Sequence, residues 1–340
     1  MSLWKLYEKH GLPNLAVTGL AKNTGKTVTL NYLISAAAKN TVRVGLTSVG
    51  RDGETWDLLT KKRKPLIQVA AGTLLSTAEN TLSAGTAAVV PLARMGFYTP
   101  LGEVILARAT SSGTVVLAGP SKVKQIDMVI NALKQAGADM VMVDGALDRQ
   151  SFAAPHITGA SVLATGASVA STLDKVAAIT HNRIRQFSFA LAPTSAAQLY
   201  IPGKVALKGT ATDEIIPSFR MLAAGPSFWR KYNDVSLAIF GGALTQFALQ
   251  GIMSSAIDLQ RLMIVVKDVT RLMAEGESIN RFIAAGGSIK VIKKADLLAV
   301  TVNPISPAGR NIDPVECFNK IKEVAEGIPV FDLVAGLGSN

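Results

Sequence analysis

Short apolar runs alternate along this chain with longer amphipathic stretches, the rhythm of strands and helices in an α/β protein. Residues 4–10 read as a short amphipathic helix, stopped by Gly11, Leu12 and Pro13. An apolar run at 15–18 then reads as a buried strand, and 28–39 as a helix with an Ala-rich face ended by Asn40. Strands are expected at 42–49, 65–71, 87–91, 104–108 and 114–118. Ser76 with Glu79 three residues on has the spacing of a capping box, which predicts a helix from there to about Gly85. Ile126, Val129, Ile130 and Leu133 fall at i, i+3, i+4 and i+7, the stripe of a helix lying on a sheet. The pattern continues with strands at 139–144 and 160–164 and a helix at 172–180. A strand at 235–240 turns at Gly241 and Gly242 into a helix over 243–254, and further strands follow at 262–266 and 297–302. The fold class is α/β, a mostly parallel sheet flanked by helices.

Composition agrees with a packed protein. Of the 340 residues 49% are apolar, 17% charged and 6% aromatic, enough to fill a core of closely packed helix-on-sheet layers. The longest uncharged stretches, 150–173 and 235–257, are broken by Pro, Gly, Ser or Gln, so no membrane span is expected. Lys5, Glu8 and Lys9 argue against a signal peptide, and the expected location is cytoplasmic. Cys317 stands alone, which excludes an internal disulfide and reads as a small buried hydrophobe. His10, His156 and His181 have no helical pairing, so any metal should be Mg²⁺ held through oxygen. The net charge of +11 raises nucleic acid as a partner. The one basic run, Lys61 to Lys64, lacks interleaved aromatics, so a solvated loop explains it better.

The chemistry concentrates at residues 15–27, where the first strand stops at Gly19, crosses a polar turn and restarts as a helix at Gly25, Lys26 and Thr27. Backbone N–H groups of such a turn share one concavity, and the helix adds its positive dipole end, so a phosphate fits there. In this phosphate loop, a Walker A sequence, Gly19, Lys22, Asn23, Thr24, Gly25, Lys26, Thr27 and Val28 would surround the phosphates. Lys26 would reach the outer ones, and Thr27 would place its hydroxyl on Mg²⁺. Five residues separate Gly19 from Gly25, one more than in the commonest form. Asp144 closes a buried strand and is the candidate to hold Mg²⁺ through water. The turn after the second strand carries Asp52 and Glu54. Asp52 is the better placed as a further metal-side carboxylate or to position the attacking water. Asp148 and Arg149 could face a γ-phosphate or pair with each other. Asn303, followed by Pro304, could contact the edge of a nucleobase, although its spacing alone favours an Asn-Pro turn.

These residues carry a resemblance. Residues 17–28 look like the long phosphate loop of the dethiobiotin synthetase branch of P-loop NTPases, which includes the cobyrinate amidases and MinD-like ATPases. That branch has the additional loop residue and a strand ending in Glu-Gly-Ala-Gly-Gly. Asp144, Gly145 and Ala146 match its start, whereas Leu147 and Asp148 replace its later glycines. The resemblance implies a three-layer α/β/α fold, ATP and Mg²⁺ as cofactors, and Asn303 as the residue that reads adenine. The signature lysine of MinD-like loops would fall on Ala21, with Lys22 out of register, and residues 187–234 have no counterpart in the compact dethiobiotin enzymes. More distantly, the chain resembles a P-loop protein associated with reactivation of B12-dependent lysine and ornithine aminomutases. The expectation is therefore an ATP-hydrolysing protein with Lys26, Asp52 and Asp144 in its catalytic site. It would be coupled to a partner such as an aminomutase or a second ATPase subunit, with a homodimer also conceivable. The alternative is an ATP-dependent ligase that activates a small carboxylate or carbamate. Residues 1–186 are expected to form the nucleotide-binding core, and 187–340 to continue the sheet or form a second lobe.

Overall fold

A computed structural model describes residues 1–50, 66–145, 159–307 and 309–338. In chain order the first elements are α1 (Leu3–His10), β1 (Asn14–Gly19), α2 (Lys26–Lys39), β2 (Val44–Ser48), β3 (Ile67–Val69) and β4 (Leu74–Ala78). They are followed by β5 (Val89–Thr99), β6 (Gly102–Ala109), β7 (Gly113–Val115), α3 (Val123–Gln135), β8 (Met140–Asp144) and β9 (Ala160–Gly166). Helix α4 (Leu173–Phe187) leads into α5 (Thr194–Gln198), β10 (Lys204–Gly209), β11 (Asp213–Pro217), α6 (Pro226–Trp229), β12 (Val235–Phe240), β13 (Leu244–Thr245) and α7 (Gln246–Met253). The chain ends with β14 (Met263–Val266), β15 (Leu272–Met273), α8 (Gly276–Ala284), β16 (Ser288–Val291), β17 (Asp296–Asn303), α9 (Pro314–Val324), β18 (Val330–Asp332) and β19 (Leu337–Gly338).

Two compact units result, Met1–His181 with Asp296–Asn340, and Asn182–Ala295. The second is thus an insertion. The boundary expected at residue 187 divides differently: residues 182–295 build their own sheet, whereas 296–340 return to the first one.

The first unit is organised on a ten-stranded sheet in the order β19-β18-β17-β9-β1-β8-β2-β4-β6-β5. The seven strands from β18 to β4 run parallel, and antiparallel pairs close both edges. Alternation along β8 shows why both faces are covered. Met140 and Met142 enter the core that contains Leu30, Leu33, Ile34 and Ala37 of α2 with Leu3 and Leu6 of α1. Val141 and Val143 point the other way, onto Ile126, Val129, Ile130 and Leu133 of α3. A strand buried on both faces must be apolar at every position, which is why this run of sequence shows no polar alternation.

One expected helix is absent. Ser76 lies inside β4, fully buried between β2 and β6, and the following Glu79 starts a single 3₁₀ turn and pairs with Arg94. Leu74, Leu75 and Thr77 are buried on the sheet, so packing overrides the local capping signal. The strand expected at 114–118 is shorter and pairs with β3 in a small antiparallel sheet. Cys317 is fully buried, and burial pushes its thiol up to about 11.

The inserted unit has a five-stranded sheet, β11-β10-β12-β14-β16, in which β12, β14 and β16 are parallel. Phe240, Ile264, Val266 and Phe282 lie in a core with Trp229 and Tyr232. Gly241 has no room for a side chain, since a Cβ there would stand 1.8 Å from the Ile201 carbonyl oxygen. Tight backbone packing therefore accounts for this glycine of the Gly241-Gly242 turn. Among the described residues no helix is long and apolar enough to cross a membrane.

Candidate functional site

The carboxyl ends of the parallel strands in the first unit carry those predicted site residues that are described. Strand β1 lies between β8 and β9, with Val17 opposite both Asp144 and Val162. Parallel pairing places side chains of partnered residues on one face. Asp144 therefore follows Met142 onto the α2 face of the sheet, beside the helix that the turn at residues 19–27 opens. Ser48 of β2 is its other partner in register, and Val49 N–H donates to the Asp144 carbonyl at 3.0 Å.

Residues 19–27 form a tight turn between β1 and α2. Leu20 N–H still donates to Ala164 of β9, at 2.9 Å, and then the chain leaves the sheet. Asn23 adopts φ 62°, one of the few non-glycine residues with a positive value. Gly25 at φ 91° and ψ 16° is the N-cap of α2, and no side chain caps that first turn. This backbone geometry aims peptide donors out of the helix end, and the uncapped N-terminus keeps its partial positive charge available.

Side chains brace the turn from within. The hydroxyl of Thr24, 1% exposed, donates to the Ala21 carbonyl at 3.1 Å. Lys26 bends back so that Nζ donates to the same carbonyl, also at 3.1 Å. Gly19 is dictated by this packing: a Cβ there would stand 2.4 Å from Thr24 Oγ1 and 3.0 Å from Lys26 Cγ. Thr27 is half-buried in the first turn of α2, whereas Lys22 and Val28 are exposed.

Asn303 closes β17 against this loop. Its Nδ2 donates to the Asn23 carbonyl at 2.9 Å, its Oδ1 accepts from Ile305 N–H at 3.2 Å, and a Cβ on Gly25 would stand 3.1 Å from Asn303 Cβ. Two residues earlier on β17, Thr301 Oγ1 is 2.9 Å from Thr29 Oγ1 of α2, a buried pair. Ser168, in the loop after β9, donates to the Asn23 carbonyl at 3.4 Å. The resemblance implies Asn303 as the residue that reads adenine. The structure sets it on the turn at residues 19–27, where Ser168, not singled out by the sequence, joins it, while Thr301 meets Thr29 of α2.

The neighbouring rim is equally tied. Gly119 N–H donates to Ser48 Oγ at 3.0 Å, and a Cβ on Gly119 would stand 1.8 Å from the Ser48 carbonyl oxygen. Gly50 N–H donates to the Pro120 carbonyl at 3.1 Å. Asp52, Glu54, Asp148 and Arg149 lie outside the described residues.

The donor set fits a polyphosphate: one ammonium, one uncapped helix end and a turn with two positive-φ residues. For a hard cation, the Thr27 hydroxyl and the Asp144 carboxylate are oxygen donors among the described residues at this end of the sheet. Among the described residues no cluster of three His, Cys, Asp or Glu side chains gathers to hold a metal. Compared with known proteins, the chain matches no family model and no curated protein.

Proposed function

We propose that this chain is a P-loop protein that binds ATP with Mg²⁺ and hydrolyses it, and that the inserted unit couples hydrolysis to a partner protein. The observation that carries this reading is the turn at residues 19–27. It combines an uncapped helix N-terminus with Gly25 in the left-handed region and Lys26, on a strand whose neighbour ends in Asp144 on the same sheet face. Each feature alone has an ordinary structural explanation. Their convergence at the carboxyl edge of a parallel sheet is the arrangement that α/β proteins use for phosphorylated ligands.

In this reading the loop amides and Lys26 neutralise phosphate charge. Thr27 and Asp144 would hold Mg²⁺, which offsets the charge that develops on the phosphate oxygens. Catalysis then rests on positioning and electrostatics, with no covalent step on the protein. The inserted unit, with its own sheet and core, would engage the partner. Phosphate release should be measured with ATP and Mg²⁺, alone and with candidate protein partners. Turnover that needs Mg²⁺, is lost in Lys26→Ala and rises with a protein partner supports the proposal. Turnover that requires a small carboxylate or amine would replace the coupling reading with an ATP-dependent ligase.

A further inference from the structure

The inserted unit reaches the rest of the chain through two connections. It leaves through α4, which begins just after the β9 loop, and returns at Asp296, the first residue of β17. Followed to the carboxyl rim of the large sheet, both connections end on the same atom. The β9 loop that precedes α4 contributes Ser168, whose Oγ donates to the Asn23 carbonyl. The far end of β17 contributes Asn303, whose Nδ2 donates to that carbonyl at 2.9 Å. Ala167 N–H donates to the Asn303 carbonyl at 2.9 Å, so the two arms are also joined to each other. Asn23 is the non-glycine residue held at positive φ in the middle of the phosphate loop. A residue in that conformation stays there because its surroundings hold it, and two of those holds come from segments that frame the insertion.

We propose that Asn303 and Ser168 are positioning residues that fix the Asn23 peptide, and that through β17 and α4 this latch couples phosphate binding at the loop to the inserted unit. The inference rests on the nucleotide reading above but departs from Asn303 as a reader of adenine. An amide whose Nδ2 holds the loop carbonyl and whose Oδ1 accepts from Ile305 N–H acts on the phosphate end of a ligand, with no dependence on its base. The coupling is reciprocal: whatever the inserted unit binds must change phosphate affinity by the same factor as phosphate changes its own.

Two ligands separate the possibilities: Mg-ATP and inorganic tripolyphosphate with Mg²⁺, which has the phosphates and no base. Removing one hydrogen bond that orders the loop should weaken binding by about three- to tenfold. For Asn303→Ala the loss should be the same for both ligands, and Ser168→Ala should show a smaller loss of the same kind. Circular dichroism confirms that each variant is folded; if Asn303→Ala is not, Ser168→Ala carries the comparison. Hydrogen exchange supplies the readout that a merely local role would leave unmoved. In the wild type, tripolyphosphate should slow exchange at residues 182–187 and 288–296 as well as in the loop. In the variant, at saturating ligand, the protection at those two segments should disappear.

A loss confined to ATP would return Asn303 to base recognition and overturn the latch. Wild-type protection confined to residues 19–39 would overturn the coupling. A wild-type chain that binds neither ligand would instead overturn the nucleotide reading itself.

Discussion

Gly19→Ala is the sharpest probe of the loop geometry, because the obstruction is a single atom. The added methyl would stand 2.4 Å from Thr24 Oγ1, well inside contact distance, and 3.0 and 3.1 Å from Lys26 Cγ and Cδ. The lysine stem is flexible and can give way. Thr24 is 1% exposed and tied to the Ala21 carbonyl, so it can move only by breaking that bond. Overpacking of this kind costs about 1–3 kcal/mol. Thr24→Ala alone forfeits one hydrogen bond, about 1 kcal/mol. The double variant should then cost less than the sum, with a coupling of about 0.5–3 kcal/mol, because removing the threonine side chain clears the space that the alanine fills. Urea-dependent hydrogen exchange across α2 is the suitable assay, since it reports the first unit without averaging over the inserted one. Additive single variants, within about 0.5 kcal/mol, would refute the argument, because Thr24 would not then be what excludes a side chain at position 19.

Other outcomes follow from the same structure. Leu33→Ala, at a fully buried position of α2 in the main core, should destabilise the first unit by about 2–5 kcal/mol in the same exchange assay. Thr29→Val should destabilise by about 1–3 kcal/mol, because it leaves the buried Thr301 hydroxyl without this partner and also removes the bond to the Gly25 carbonyl, whereas Thr301→Val should cost less, since the Thr29 hydroxyl still donates to Gly25. The double substitution should cost less than the sum of the two, as a thermal double-mutant cycle would show. Cys317 has its folded pKa raised to about 11 by burial, so the protonated thiol favours the folded state fully below the unfolded value near 9. That contribution fades as pH climbs toward 11. Stability should accordingly fall more steeply between pH 9 and 11 in wild type than in Cys317→Ala.

Sequence reading succeeded wherever a signal is local and repeats. The α3 stripe at Ile126, Val129, Ile130 and Leu133, the doubly buried run of β8 and the strand-turn-helix at residues 14–39 are each set by neighbours close in sequence, and each appears in the fold. It failed where distant packing decides. Ser76 and Glu79 have the spacing of a capping box, yet a strand slot between β2 and β6 claims Ser76. The sequence placed a boundary near residue 187 but did not show the return of the chain at Asp296 to the first unit, and α4 runs through residues 181 and 182 as unbroken helix, without a Pro- or Gly-rich linker. At the candidate site, the hydrogen bond that Asn303 makes was likewise beyond spacing. Its residue type suggested a hydrogen-bonding task, but the partner is the Asn23 carbonyl, 280 positions away, which no spacing rule could supply.

The central claim is that residues 19–27 bind phosphate in the presence of Mg²⁺, and equilibrium binding of a fluorescent ATP analogue tests it most directly. Saturable binding to the wild-type chain that is weakened by chelating Mg²⁺, and weakened at least tenfold by Lys26→Ala in a protein that circular dichroism shows to be folded, is the predicted result. No binding by the wild type, or equal affinity in Lys26→Ala, would contradict it.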